Sequence, residues 1–185
     1  LYVDVVPVTV CDGAARFGGD GMVVDYAVRM HRFDQAMRLD NQLSSNELTD
    51  DDMLALAIDL AARHMEARVA DPAERGRVLD ETRSLMMDNF DTLDGRLDEA
   101  RLAELRRWTC QALDGMEGII GRRFDDGYVR DCHGDLHLGN LVRLKTGLRA
   151  FDCIEFSDEI AQVDVLYDLA FLVMDLLDRG FEREA

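Results

Sequence analysis

Two short apolar runs, Leu141 to Leu144 and Leu148 to Phe151, stand on either side of Lys145-Thr146-Gly147. Apolar runs of this length around a loop ending in glycine predict a β-hairpin, since the last position of a three-residue loop favours positive φ. The hairpin constrains its surroundings, because it decides which residues just outside the strands meet. With Leu144 facing Leu148, counting back along both strands places Asn140 opposite Asp152. Opposed residues lie about 5 Å apart, and two side-chain oxygens at that separation can share a hard cation such as Mg²⁺. Asp135 lies upstream in His133-Gly134-Asp135-Leu136-His137-Leu138-Gly139-Asn140. It is predicted on the loop leading into the hairpin, near the cation without having to bind it.

This residue set suits phosphoryl transfer. One Asp orients a hydroxyl and accepts its proton, while an Asn and a second Asp hold the metal that bridges the phosphates. At His133, Gly134, Asp135, His137, Asn140 and Asp152 the sequence resembles the catalytic segment of the aminoglycoside phosphotransferase and choline kinase-like family. That family is a branch of the protein-kinase-like fold, and its pattern is H-G-D-x-H-x-x-N followed by a hydrophobic residue and a metal-binding Asp. The resemblance is strongest over residues 131–175 and extends to 1–34, where Val24 to Met30 looks especially similar to a bacterial phosphotransferase-like group.

The resemblance implies Asp135 as catalytic base, Asn140 and Asp152 as ligands of Mg²⁺, and ATP or GTP as phosphoryl donor. It implies a small molecule carrying a hydroxyl as acceptor. His133 would brace the loop, with His137 a supporting residue of open role. The implied fold is α+β and kinase-like. Residues 1–33 would be a remnant of the small β-lobe and hinge, and residues 34–185 a mostly helical large lobe. By order along the chain, Arg29, Met30 and His31 fall at the hinge, whose backbone would meet adenine. Asp168, in Asp168-Leu169-Ala170, is read as structural. Glu155 is read as solvated or as touching metal or substrate. The phosphate-covering loop, strand Lys and Glu partner of such a fold would precede Leu1, and its closing helices would follow Ala185. The chain is therefore expected to be part of a longer polypeptide that supplies the rest of the small lobe. Lys145, the lone lysine, falls in the hairpin turn.

Two other readings use the same residues. His133 and His137 are spaced i, i+4, and with Asp135 and Asp152 would make a zinc site of a metallohydrolase. Against it, H-E-x-x-H is absent and Gly134 with Gly139 favours a loop. The second is a kinase-like binding module without catalysis.

The formal net charge of −17 leaves no basic stripe to neutralise phosphates, which argues against nucleic acid and against an anionic membrane surface. No apolar run approaches about 18 residues, so a cytoplasmic location is expected. Cys11, Cys110, Cys132 and Cys153 form no C-x-x-C pair and read as reduced thiols, with Cys132 and Cys153 flanking the site.

Elsewhere the pattern predicts a strand over residues 1–10, with Pro7 marking an edge or bulge, and a second strand over 23–30. Gly18 to Gly21 reads as a hairpin turn rather than a phosphate loop. Thr49 and Asp52 form a box-like cap opening a helix whose apolar stripe is Leu54, Ala57, Ile58, Ala61 and Met65. His64 lies beside that stripe as a partly buried helical residue. Asp71-Pro72 opens a helix to about Phe90, an acidic connector follows, and a long helix covers 97–123. Its Gly115, Gly118 and Gly121 suggest close backbone approach. A strand over 128–132 feeds the motif, and a last helix follows Val165.

Overall fold

The β-branched N-terminal run forms strand β1 (Tyr2–Cys11), which pairs antiparallel with β2 (Ala14–Phe17) and with β3 (Met22–Met30) in a sheet of order β2-β1-β3. The computed structural model describes residues 1–42 and 48–185, which divide into two compact units, Leu1–Met37 and Arg38–Ala185. In the first unit two expectations change. Because β2 and β3 flank β1 on opposite sides, Gly18 to Gly21 carries the chain from one edge to the other and is not a hairpin turn. The tight turn is Asp12-Gly13, a favoured pair for a two-residue loop. Of the two settings expected for Pro7, the edge does not hold, since Pro7 lies in the central strand, whereas a register irregularity does occur beside it, between Val8 and Thr9. The proline is tolerated because β2 pairs only from Val8 to Cys11, so the missing N–H of Pro7 breaks no bond on that side. Its carbonyl accepts from Gly18 N–H at 2.7 Å.

The second unit begins with the short helix α1 (Leu39–Gln42) and continues with α2 (Asp50–Glu66). The capping box of α2 is complete. Thr49 Oγ1 accepts from Asp52 N–H at 3.2 Å, and Asp52 Oδ2 accepts from Thr49 N–H at 3.1 Å. The buried stripe of α2 is Leu56, Leu60 and His64, whereas Leu54, Ile58 and Met65 are exposed. Hydropathy alone selects the wrong face. The inward face is the one whose polar residues find partners: Asp52 meets Arg143 at 2.8 Å and His64 meets Asp168 at 2.9 Å.

The Asp52–Arg143 pair has a pH signature. The hydrogen-bonded Arg143 guanidinium holds the Asp52 carboxyl at about 2, below its ordinary 3.8. Its stabilisation is therefore fully present above about pH 4 and is lost as pH falls through 2. Asp52→Asn is expected to cost at most about 2 kcal/mol at neutral pH, with the difference from the parent closing between about pH 4 and 2. Urea unfolding across that range checks this. A pH-independent difference would show that the pair contributes through packing and not through charge.

A 3₁₀ turn capped by Asp71 leads into α3 (Arg75–Leu93), which packs against α4 (Glu99–Asp125). Of the three spaced glycines in α4, Gly121 is the crowded one, and by the Arg75 guanidinium rather than a backbone; Gly115 has open space around it. Strand β4 (Val129–Asp131) leads to the motif, and β5 (Leu141–Leu144) with β6 (Gly147–Ala150) forms the hairpin. A helical turn α5 (Asp158–Ala161) and strand β7 (Gln162–Asp164), neither read from the sequence, follow. β7 returns to pair with β4, and α6 (Val165–Asp178) starts directly after it, capped by Asp164. The architecture is mixed α+β. A leucine cluster from α1, α2, the motif loop, the hairpin and α6 forms the core beneath the motif. Among the described residues no helix is long and apolar enough to cross a membrane.

Candidate active site

In Asp135-Leu136-His137-Leu138 polar and apolar residues alternate, and the loop sorts them by burial. Leu136 and Leu138 are fully buried in the leucine core, whereas the side chains of Asp135 and His137 keep 45% and 38% of their exposure. Burying each leucine contributes about 1.5–3 kcal/mol, enough to anchor a segment that lacks regular structure.

Carboxylates of α6 fix the loop backbone at both ends. Gly134 N–H donates to Asp168 Oδ1 at 2.9 Å and His133 N–H to Asp168 Oδ2 at 3.3 Å. At the far end Leu138 N–H donates to Asp175 Oδ2 at 2.9 Å. Asp168 and Asp175 are seven positions apart, about two helical turns, so they share one face of α6 with Asp135 held between their contacts. Asp168, read from the sequence as structural, has a side chain with no exposure.

Asn140 is drawn onto Asp135. Its Nδ2 donates to the Asp135 carbonyl at 2.9 Å and to Asp135 Oδ2 at 3.1 Å. His137 Nε2 lies 3.5 Å from the same carboxylate oxygen. His137 Nδ1 accepts from Gly139 N–H at 3.1 Å, so the neutral ring carries its proton on Nε2, facing Asp135.

The hairpin forms, but its register is shifted by one residue. Leu144 pairs with Gly147, not with Leu148, and the loop shortens to Lys145-Thr146. Gly147 takes φ +103 as the first residue of β6, so the positive-φ position falls in the strand and not in the loop. Asn140 is consequently opposite Phe151, whose N–H donates to the Asn140 carbonyl at 3.0 Å, and Asp152 is one residue further on. Asp152 itself has φ +63. Aspartate enters this left-handed region more readily than most residues, and such conformations gather at binding and catalytic sites. His133 brackets Asp152 from both sides. Its Nε2 donates to the Phe151 carbonyl at 2.8 Å, and its own carbonyl accepts from Ile154 N–H at 2.9 Å. His133 Nδ1 is buried without a hydrogen-bond partner among the described residues.

The structure thus brings together Asp135, Asn140 and His137, with His133 fastening the Asp152 segment alongside. It does not gather His133, Asp135, His137 and Asp152 as zinc ligands. Among the described residues the metal-ligating group whose donor atoms lie within 4.8 Å of one another is His64, Cys132 and Asp168. Burial pushes the Cys132 thiol up to about 12, and its Sγ donates to the Val163 carbonyl at 3.4 Å. Cys153 is an exposed free thiol, and Glu155 is exposed. In the first unit, Arg29 pairs with Asp4 at 2.5 Å on the surface. His31 N–H donates to the Leu1 carbonyl at 2.9 Å, so that group is not offered to a base. Met30 and His31 line an open hollow of about 710 Å³ together with Phe33 and Asp34. His64 is the residue whose part at the site the sequence reading missed. The available signal was an imidazole at i+8 from Leu56 and i+4 from Leu60, on the face that turns out to be buried.

Gly134 is where the loop admits no side chain. Its φ is +78, and an added Cβ would lie 3.0 Å from the Ile154 side chain and 3.1 Å from the Ile160 carbonyl. Gly134→Ala is expected to cost about 1–3 kcal/mol in urea unfolding. Parental stability in that variant would mean the loop has a second conformation of similar energy.

No family model matches the chain, and no solved structure matches it. It is similar to the protein named Uncharacterized protein Mb2027c from Mycobacterium bovis, with 34% identity over 64 residues. The same figures hold for Uncharacterized protein Rv2004c and Uncharacterized protein MT2060 from Mycobacterium tuberculosis. In each case the match covers 35% of this chain and 13% of the relative's length, so the chain corresponds to a small part of these curated relatives.

Proposed function

We propose that this chain carries the catalytic loop of a phosphotransferase that moves the γ-phosphoryl group of ATP or GTP to a hydroxyl of a small molecule. The observation that carries the reading is an accessible Asp135 carboxylate on a loop fixed at both ends by α6 and joined to Asn140. A general base needs that combination: access to the acceptor, and a backbone that does not wander. The motif's resemblance to aminoglycoside phosphotransferase and choline kinase-like enzymes supports the same reading.

The donor set fits Mg²⁺, a hard cation that takes oxygen ligands. Asn140 gives its side-chain nitrogen to Asp135, which leaves the amide oxygen for a cation. Asp152 supplies a carboxylate from a segment fastened by His133. When bound, Mg²⁺ offsets phosphate charge. Asp135 orients the acceptor hydroxyl and takes its proton. Asn140 keeps the Asp135 carboxylate in place through its amide N–H. His137 directs its Nε2 proton at the same oxygen and so helps to orient that carboxylate.

The test is nucleotide consumption by the intact protein over a panel of hydroxylated metabolites and aminoglycosides. Turnover should require Mg²⁺, and Asp152→Ala should raise KM for the magnesium nucleotide by about tenfold or more, the loss of one charge-assisted ligand. Stoichiometric zinc after purification, with hydrolysis in the absence of nucleotide, would overturn the reading in favour of a metallohydrolase. Tight binding of a partner with no turnover by any acceptor would overturn it in favour of a binding module.

A further inference from the structure

We propose that Arg38 is a positioning residue: paired with Asp40, it is the wall that holds the His137 ring with Nε2 toward Asp135. Its effect on turnover rests on the phosphotransferase reading, and its effect on the ring does not. The His137 side chain keeps 38% of its exposure on a loop without regular structure. Two contacts aim the ring. Nε2 lies 3.5 Å from Asp135 Oδ2, and Nδ1 accepts from Gly139 N–H at 3.1 Å. The first is at the limit of a hydrogen bond and the second is a single bond between neutral groups, so neither fixes an imidazole alone.

Gly139 shows what else holds it. Gly139 is buried, and it is not among the residues of positive φ, so space and not backbone conformation asks for glycine here. An added Cβ would lie 2.7 Å from His137 Cε1 and 2.9 Å from Arg38 Nη2. Imidazole and guanidinium therefore converge on the space that a side chain at 139 would fill. The ring is enclosed, with its Cε1–Nδ1 edge toward Gly139 and Arg38 and its Nε2 toward Asp135.

Arg38 is itself well placed. Its Nε donates to Asp40 Oδ1 at 3.2 Å and its Nη2 to Asp40 Oδ2 at 2.8 Å, two parallel bonds that set the plane of the guanidinium. The backbone of Arg38 bridges Val142 of β5, two residues past Asn140. Leu39, next in the chain, is fully buried in the leucine core with Leu136 and Leu138. The wall thus stands on the same hairpin and core that place the loop. Its consequence reaches the base. The Asn140 amide and the His137 ring both meet Asp135 Oδ2, so a steady ring keeps that oxygen occupied and Oδ1 turned to the acceptor.

The rival use of Arg38 is as a cation for a substrate phosphate. Its Nε and Nη2 are already directed at Asp40, which disfavours that use.

The experiment uses the intact protein. Imidazole ¹⁵N NMR at about pH 8, where an ordinary imidazole is neutral, reads the His137 tautomer, its signals assigned by their loss in His137→Ala. Exchange of the Gly139 amide reads the bond to Nδ1, and steady-state kinetics with Mg·ATP and the best acceptor read turnover. The parent should carry the His137 proton on Nε2. Arg38→Met, which keeps length without the fork, should mix the two tautomers. It should also speed Gly139 exchange about fivefold while α3 and α4 stay protected, the equivalent of one neutral hydrogen bond. It should lower kcat about three- to tenfold with KM for the nucleotide within about twofold. Arg38→Lys keeps the charge but not the fork and should match Arg38→Met. Gly139→Ala leaves Arg38 in place, puts a methyl between the two side chains and should disturb the His137 signals by itself. In a His137→Ala background, adding Arg38→Met should change kcat less than about twofold. Parental His137 signals in both Arg38→Met and Gly139→Ala would overturn the proposal. So would exchange accelerated throughout α3 and α4 in both, which marks a packing role. Full recovery in Arg38→Lys, or a nucleotide KM raised about tenfold with parental His137 signals, would overturn it in favour of direct contact with phosphate. If Asp135→Asn leaves turnover unchanged while the His137 signals respond as expected, the phosphotransferase reading falls and the positioning role stands.

Discussion

Asp135→Asn is expected to slow phosphoryl transfer by about 10²–10⁴-fold, with nucleotide affinity within a few-fold of the parent. The substitution preserves volume and the hydrogen-bonding reach of the side chain. The carbonyl of residue 135 still accepts from Asn140 Nδ2, and the loop anchors on Asp168 and Asp175 are untouched. What is lost is the negative charge and the ability to take a proton. An amide can still accept a hydrogen bond from the acceptor hydroxyl, so ground-state binding is largely kept and the loss falls on kcat. Steady-state kinetics in both substrates, with direct titration of the magnesium nucleotide, check the split. A variant with parental kcat would remove Asp135 from the chemistry. A variant that loses nucleotide binding in proportion would make it a ligand of the metal and not a base.

How far this site was legible depends on which interactions were local. The capping box at Thr49 and Asp52, the Asp71-Pro72 helix start and the 3.6-residue period after Val165 are short-range patterns, and each element formed where its residues indicate. The Asp-Leu-His-Leu alternation likewise decides which loop side chains face outward. Register was harder. A glycine after Lys145-Thr146 serves a three-residue loop or the first position of a strand, and the choice moves Asn140 from Asp152 to Phe151. The face of α2 was misread because its inner side is chosen by partners more than 90 positions away, Arg143 and Asp168. Apolar periodicity sees Leu54, Ile58 and Met65 but not the distant donors and acceptors that turn the helix over. For the same reason β7 was invisible: its three residues are a strand because β4 pairs with them.

The largest stability loss is expected from Asp168→Ala, about 3–5 kcal/mol. The change removes a carboxylate without solvent exposure and strands the groups bonded to it. His64 Nε2–H, Gly134 N–H and His133 N–H would each lose an acceptor in the interior, at about 1–3 kcal/mol for a fully unsatisfied donor. Part of that is recovered if water enters the space, which keeps the total below the sum. Removing one negative charge from a chain of net charge −17 acts in the opposite direction. That relief is long-range and screened beyond about 10 Å at ordinary ionic strength, so it does not offset bonds of 2.9 Å. Asp175→Ala provides the contrast. It frees Leu138 N–H and Arg179, but its side chain is 19% exposed and Arg179 reaches solvent, so about 1–2 kcal/mol is expected. Urea unfolding of the two variants against the parent gives the comparison. For a domain whose whole stability is about 5–15 kcal/mol, the Asp168 variant would lose a large share of that margin and the Asp175 variant a small one. Equal and small losses in both would mean that the carboxylates of α6 are solvated in the folded protein, and with that the anchoring of the Asp135 loop would fail.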